Sequence, residues 1–376
     1  MAGGVTGIAP FEVAIPAADI EELRFRLRRT RWPDQPDGAG WTYGTDRETL
    51  RALCAYWADG FDWTAFHARL NLCPQFIAGT GGRRLHFYHI RSANPDARPL
   101  LLAHGWPGGS AEFLDAVPAL AAHFHLVIPS LPGFGFSGPV ATMGYRIRDA
   151  AADIAALMAA LGYRHYFIHG GDKGTRLALT MAADHPDRVM AIHLGLMPAP
   201  PPEPGDREAG LPPADVDRVR RTDAFLSTEM AYQALQRTRP QSLAYGLTDS
   251  PVGLAGWLVE KYRAWTDCGG DLARAMPRDR LLDLLSVYWF TGTIGSSMRS
   301  YFEDGGPGRE EPLPPVEVPV GHTVFPAEII QTPRAWAERK FNIFYWNEAS
   351  RGGHFPALEV PALFAAELEA CFARCP

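Results

Sequence analysis

The hydrophobic rhythm of the chain changes along its length. The first 75 residues read as helical. Ile20, Leu23 and Leu27 share one face of a segment that Asp19 can cap, and Leu50, Leu53 and Trp57 do the same within Glu48–Ala58. Arg29-Thr30-Arg31-Trp32-Pro33 breaks the first of these helices. From about Arg84, short apolar runs alternate with longer helical segments. Leu85–Ile90, Leu100–Ala103, Leu126–Pro129, His165–His169 and Val189–Leu194 read as strands, with helices predicted over Ile147–Leu161 and Thr175–Ala183. Pro198–Pro213 reads as a linker, and about 90 residues of all-helical pattern follow it, in which Ser250-Pro251 supplies an N-cap and a first-turn proline. The alternation then returns as strand Val318–Phe325, helix Pro333–Lys340, strand Ile343–Trp346 and helix Pro361–Phe372. Strands alternating with helices predict an α/β fold around a mostly parallel, doubly wound sheet. The expected division is a helical extension over 1–80, a core in two parts over 81–198 and 313–376, and a helical insertion over 199–312.

Composition narrows the partners. With 376 residues, 47% of them hydrophobic and 21% charged, the chain can bury a large core and is neither disordered nor fibrous. A net charge of −6 without a basic block argues against nucleic acid. The five cysteines form no C-x-x-C pair, so neither a disulfide framework nor a structural zinc site is expected, and a reducing compartment is the default. The N-terminus lacks the basic and apolar regions of a signal peptide, and no run of ~18 apolar residues is present, so no membrane span is expected.

Three loops could carry chemistry. His169-Gly170-Gly171-Asp172-Lys173-Gly174 joins a predicted strand to a predicted helix. Small residues two before and two after a central side chain suit a strained elbow that lifts that side chain, here Asp172, above the sheet; the plain alternative is a glycine-rich turn with a capping aspartate. His104-Gly105-Trp106-Pro107-Gly108-Gly109 follows another strand, where such folds place one N–H of an oxyanion hole. The candidate donors are the amides of Trp106 and Lys173. Arg351-Gly352-Gly353-His354-Phe355-Pro356 follows the last strand and offers His354 as a base, although a lone histidine is more often structural. Glu328, just past the penultimate strand, can orient it. The alternative acid position, Met197-Pro198-Ala199, holds no carboxylate. The order nucleophile, acid, base is that of α/β-hydrolases. A carboxylate nucleophile suits attack on an sp³ carbon, as in epoxides and alkyl halides, because attack on an ester or amide would yield a labile anhydride.

These motifs resemble the microsomal-type epoxide hydrolase family over nearly the whole chain. The resemblance is carried by Phe11–Pro33, HGWPGG, LPGFGFSGP at Leu131–Pro139, GGDKG and RGGHF. In the insertion it is carried by Tyr232-Gln233, Thr238-Arg239-Pro240, Asp249–Leu254 with Trp257 and Glu260-Lys261, and then by Tyr288-Trp289, Thr291–Ile294 and Ser296–Tyr301. It implies an α/β-hydrolase fold with a helical lid insertion and an N-terminal helical extension. It implies Asp172 as nucleophile, His354 as base, Glu328 as its acid partner, and Tyr232 and Tyr301 as lid donors to the epoxide oxygen. The implied reaction adds water to a small-molecule epoxide to give a vicinal diol, with no cofactor and no metal.

The family usually has tryptophan after the nucleophile. Here Lys173 is expected to point away and pair with an acid; otherwise it adds positive charge beside Asp172 or meets a polar substrate. Mammalian members carry a membrane anchor that this chain begins without, which implies a soluble, cytoplasmic enzyme with no membrane partner. The Ala/Arg/Pro-rich composition fits a high-GC bacterium, and similar enzymes act in natural-product pathways, including those of enediyne antibiotics. A homodimer is left open. A dehalogenase using the same Asp–His machinery and a non-catalytic relative are the rivals. Aromatic lid residues such as Trp257, Trp265, Tyr288 and Trp289 are expected mostly in the core, with some lining a pocket.

Overall fold

A computed structural model describes residues 4–202 and 207–375. Part of the predicted linker, 203–206, lies outside them. Nine strands form one sheet: β1 (Thr6–Phe11), β2 (Gln75–Thr80), β3 (Arg83–Ile90), β4 (Arg98–Ala103), β5 (Phe124–Pro129), β6 (Tyr166–Gly170), β7 (Val189–Leu194), β8 (Val320–Val324) and β9 (Ile343–Glu348). Their order is β1-β2-β3-β5-β4-β6-β7-β8-β9. The pairs from β5 through β4 to β9 are parallel, and β1, β2, β3 and β5 pair antiparallel. The central strands are apolar on both faces: Leu100, Leu101, Leu102, Phe167 and Ile168 are all fully buried, as a parallel sheet covered by helices requires.

The N-terminal segment is not wholly helical. It contributes β1, and its last residues form β2. Neither strand shows the alternation that marks a half-buried strand, because β1 is an exposed edge whose sequence, TGIAPF, includes a proline. Asp19 does not cap the first helix, Ala17–Arg28; Pro16 holds the cap position, and Asp19 lies in the first turn, where its charge suits the helix dipole. Asp46 caps the second helix, Arg47–Asp59, accepting from Thr49 N–H at 2.8 Å. A further helix, Trp63–Leu70, is capped by Asp62. These helices clasp the lid. Trp57 is fully buried and donates to Ser286 Oγ at 3.0 Å, while Arg69 grips Asp283 with two bonds of 2.7 and 2.6 Å. Burying the Trp57 ring stabilises the junction by about 3 kcal/mol.

Among the described residues the lid's regular elements are all helical, from Pro213–Thr228 to Ile294–Gly305. Its helix Pro251–Trp265 begins as read, with Ser250 Oγ accepting from Gly253 N–H at 3.0 Å. Among the described residues, no helix is long and apolar enough to cross a membrane.

Candidate active site

The strand β6 ends at Gly170, and the helix Lys173–Asp184 begins three residues later. Between them Asp172 has φ 49° and ψ −118°, and it is the one non-glycine residue with positive φ among the described residues. Such backbone strain costs about 1–3 kcal/mol and persists only where the surroundings enforce it. The neighbours explain why the motif needs glycine. A Cβ at Gly170 would collide with the Gly174 carbonyl, and one at Gly174 would collide with the Ala103 carbonyl of β4. Asp172 is therefore an elbow residue and not a capping aspartate; it makes no side-chain cap bond.

The three loops meet. Trp106 N–H donates to Asp172 Oδ1 at 2.9 Å, which leaves Oδ2 facing His354 Nε2 at 3.7 Å. That separation is an ion pair, longer than a hydrogen bond, and Nε2 is buried without a hydrogen-bond partner among the described residues. On the other side of the ring, Nδ1 donates to Glu328 Oε1 at 2.7 Å, an atom that also accepts from Ile329 N–H at 2.8 Å. The isolated bridge between Ala327 and Gly353 holds the Glu328 and His354 loops together. Lys173 is the first residue of its helix, so its N–H has no partner inside the helix.

Electrostatics follow from burial and charge. Burial alone would push Asp172 up, but His354, the Trp106 N–H and the neighbouring Lys173 outweigh it and hold the carboxyl below its ordinary range. Burial would push His354 down, yet Glu328 and Asp172 on either side raise it to about 10. The two flanking acids thus favour a proton on the His354 ring.

Tyr232 and Tyr301 come from separate lid helices, Ala231–Thr238 and Ile294–Gly305, and both are buried. Tyr232 stacks on Trp106 at 5.4 Å and 7°, while Tyr301 meets Trp106 edge-on at 5.9 Å and 88°. Among the described residues the Tyr301 hydroxyl has no hydrogen-bond partner. Burial, and after it the Asp172 charge, raises both phenols above their ordinary value. With Asp172 and Lys173 the two tyrosines line a cavity of about 330 Å³, walled on its apolar side by Phe225, Leu313 and Ile329. A larger cleft of about 970 Å³ lies between the N-terminal segment and the lid, but none of these reactive residues lines it. Chemistry, and not size, selects the smaller cavity.

Lys173 does pair with an acid, Asp304 Oδ2 at 3.4 Å, but it does not leave the site. Its ammonium is 3.9 Å from the centroid of the Tyr301 ring. Trp265 and Tyr288 are core residues that support the site. Trp265 meets the His354 ring edge-on at 5.2 Å, and Tyr288 donates to the Gly108 carbonyl at 3.0 Å. Trp257 instead lines the larger cleft, and Trp289 packs under Arg26.

Several supporting residues carry no local signal in the sequence. His354 N–H donates to the Trp265 carbonyl at 2.9 Å, and Gly352 N–H to Asp267 at 2.9 Å, which ties the base loop to the lid. Glu359 accepts from Asp267 N–H and Phe355 N–H and is raised by burial to about 7. Glu112 accepts from Gly109 N–H in the Trp106 loop and is raised by burial to about 8. A surface-type residue a few positions beyond a motif gives no hint that folding will bury it there.

The fold and this site define an α/β-hydrolase with a carboxylate at the strained turn between β6 and the helix that follows it. The family model for the epoxide hydrolase N terminus matches residues 8–113, and the model for the alpha/beta hydrolase fold matches residues 98–250. A provisionally named epoxide hydrolase of Stigmatella aurantiaca is 40% identical over 97% of this chain and 85% of that protein. Epoxide hydrolase 1 of Sus scrofa is 31% identical over 96% of this chain and 87% of its own length. The crystal structure of juvenile hormone epoxide hydrolase from the silkworm Bombyx mori superposes with a TM-score of 0.91 at 30% identity, covering 98% of this chain and 94% of that one. The chain belongs to the epoxide hydrolase family. It is an enzyme of the ether-bond hydrolase class, acting on epoxides.

Proposed function

We propose that the enzyme opens its epoxide through a covalent ester on Asp172 and hydrolyses that ester with water activated by His354. The observation that carries this reading is the buried line Glu328–His354–Asp172, at 2.7 and 3.7 Å, beneath two lid phenols. Oδ1 of Asp172 is tied to the Trp106 N–H, so Oδ2 is the attacking atom. It forms a bond to an epoxide carbon as the carbon–oxygen bond breaks, and the electron pair passes to the epoxide oxygen. Tyr232 or Tyr301 gives that oxygen a proton and becomes a tyrosinate.

Esterification removes the Asp172 charge. His354 then loses one of the two carboxylates that raise it, and the proton it releases restores the tyrosine. The neutral imidazole next takes a proton from water, whose oxygen attacks the Asp172 carboxyl carbon. The oxyanion forms at Oδ1, where the Trp106 N–H already donates, and the Lys173 N–H is the second donor. Collapse releases the diol, and the acid proton of Asp172 passes to the departing alkoxide. The enzyme ends as it began, with a carboxylate beside an imidazolium.

The test is the intact mass of a His354→Gln variant mixed with styrene oxide and a small epoxide panel. Addition of one epoxide mass, mapped to Asp172, is the expected result. An adduct elsewhere, or turnover without an adduct, would overturn the ester. Alkyl adducts from a parallel haloalkane panel, without epoxide adducts, would mark a dehalogenase.

A further inference from the structure

Two lysines stand against the two lid tyrosines. The Lys173 ammonium lies 3.9 Å from the centroid of the Tyr301 ring, and the Lys261 ammonium lies 5.0 Å from that of Tyr232. Both lysines are nearly buried, with side-chain exposures of 11% and 6%. They arrive from different parts of the fold: Lys173 opens the helix after the nucleophile elbow, and Lys261 lies on the lid helix Pro251–Trp265. Each is held by one carboxylate. Asp304 lies 3.4 Å from Lys173 and is itself fixed by the Ile147 N–H at 2.7 Å; Glu260 lies 2.5 Å from Lys261. An apolar side chain would fill either position without desolvating a charge, so burial does not by itself account for the ammonium groups.

We propose that Lys173 and Lys261 are positioning residues that act through Tyr301 and Tyr232, each holding a positive charge over a phenol ring so that the phenol more readily surrenders its proton to the opening epoxide. This rests on the reading of the two tyrosines as proton donors. A cation is drawn to the face of a neutral ring by its quadrupole, and far more strongly to the same ring once it carries a full negative charge. The contact therefore strengthens as the proton leaves, the condition for an interaction to lower the barrier and not merely the ground state.

The other charges facing these rings sharpen the need. Tyr301 faces Asp172 and the neutral phenols of Tyr232 and Tyr288 as well as the Lys173–Asp304 pair. Tyr232 faces Asp172 and Arg237 as well as the Lys261–Glu260 pair. In the resting enzyme the Asp172 anion opposes proton loss by both phenols. Its charge is consumed as the ester forms, while the lysine charges remain. The phenols thus become proton donors in step with the bond that Asp172 makes.

The experiment measures single-turnover alkylation and ester hydrolysis separately, with styrene oxide and the full-length enzyme. The variants are Lys173→Met, Lys261→Met, Lys173→Arg and Lys261→Arg, with Tyr232→Phe and Tyr301→Phe as references. Each methionine variant should slow alkylation roughly 10–100-fold and leave hydrolysis within about twofold. The arginine variants should recover most of the loss. Difluorotyrosine at position 301 of Lys173→Met, or at 232 of Lys261→Met, should restore alkylation, because a more acidic phenol replaces what the cation supplied. If a methionine variant folds poorly, glutamine at the same position supports the same measurements. Alkylation and hydrolysis falling together, without rescue by the fluorinated phenol, would reduce the lysines to packing and overturn the proposal. Tyrosine variants that slow alkylation, beside lysine variants that do not, would also overturn it while leaving the tyrosines in place. Tyrosine variants without effect would remove the reading beneath it.

Discussion

Glu328→Gln separates charge from geometry at the base. The glutamine amide oxygen can still accept the His354 Nδ1–H and the Ile329 N–H, so the ring keeps its orientation. What is lost is a full charge 2.7 Å from the imidazole. With an effective dielectric near 20, two unit charges at that distance attract by about 6 kcal/mol. In ester hydrolysis the imidazole acquires its positive charge as water attacks. If about half has developed at the transition state, about 3 kcal/mol of stabilisation disappears, or roughly a hundredfold in rate. In the proposed mechanism alkylation uses Asp172 and the phenols, so it should change little. Rapid-quench kinetics with styrene oxide should therefore show a burst of ester on Asp172 and then slow diol release. A variant that hydrolyses its ester at the parent rate would refute the electrostatic account of Glu328. Equal slowing of both steps would point to a displaced ring.

Other outcomes follow from the packing and the buried histidines. Gly174→Ala should destabilise the protein by about 3 kcal/mol, because the new methyl meets the Ala103 carbonyl, whereas Gly171→Ala, with nothing within 4 Å of its Cβ, should stay within about 0.5 kcal/mol. Urea unfolding of both variants checks this, and equal midpoints would contradict the elbow geometry. Stability should fall in mild acid because burial lowers His86 and His169 to about 3, and His104 and His322 to about 4. Below the unfolded value of 6.5 the unfolded chain binds protons that the native state refuses, so each such histidine costs about 2 kcal/mol by pH 5, and the loss saturates below the folded values. His354 runs the other way. Raised to about 10, its contribution is complete below 6.5 and disappears as the pH climbs through 10. Urea midpoints that stay flat between pH 7 and pH 5 in the parent, or that fall as steeply in His322→Gln, would contradict the histidine account.

The reaction class was legible in short motifs because the elbow imposes its requirements within a few residues. A strand must end, one side chain must rise, and its neighbours two positions away must lack a Cβ; GGDKG records all of this locally. The base and acid loops were readable for a similar reason, since each follows a strand of the same sheet and parallel strands deliver their C-terminal ends to one edge. The tyrosines were readable only through family resemblance, because by themselves they are ordinary helix residues. The N-terminal strand β1 leaves no local signal because its partner, β2, lies more than 60 residues away and its own residues are mostly exposed.

The alternation of elements, the strained turn and the identity of the groups able to react are set locally along the chain, since propensity, sterics and intrinsic acidity are properties of a residue and its near neighbours. Which charges those groups feel depends on how the folded elements are packed. The Glu328 carboxylate beside His354, the Asp304 carboxylate on Lys173, and the ammonium groups over Tyr301 and Tyr232 come from positions 26 to 131 residues apart in the chain, or from separate helices. Coulombic interaction and desolvation depend on distance in space and on the exclusion of water. Both exist only after the lid, the sheet and the N-terminal clasp have closed around the site.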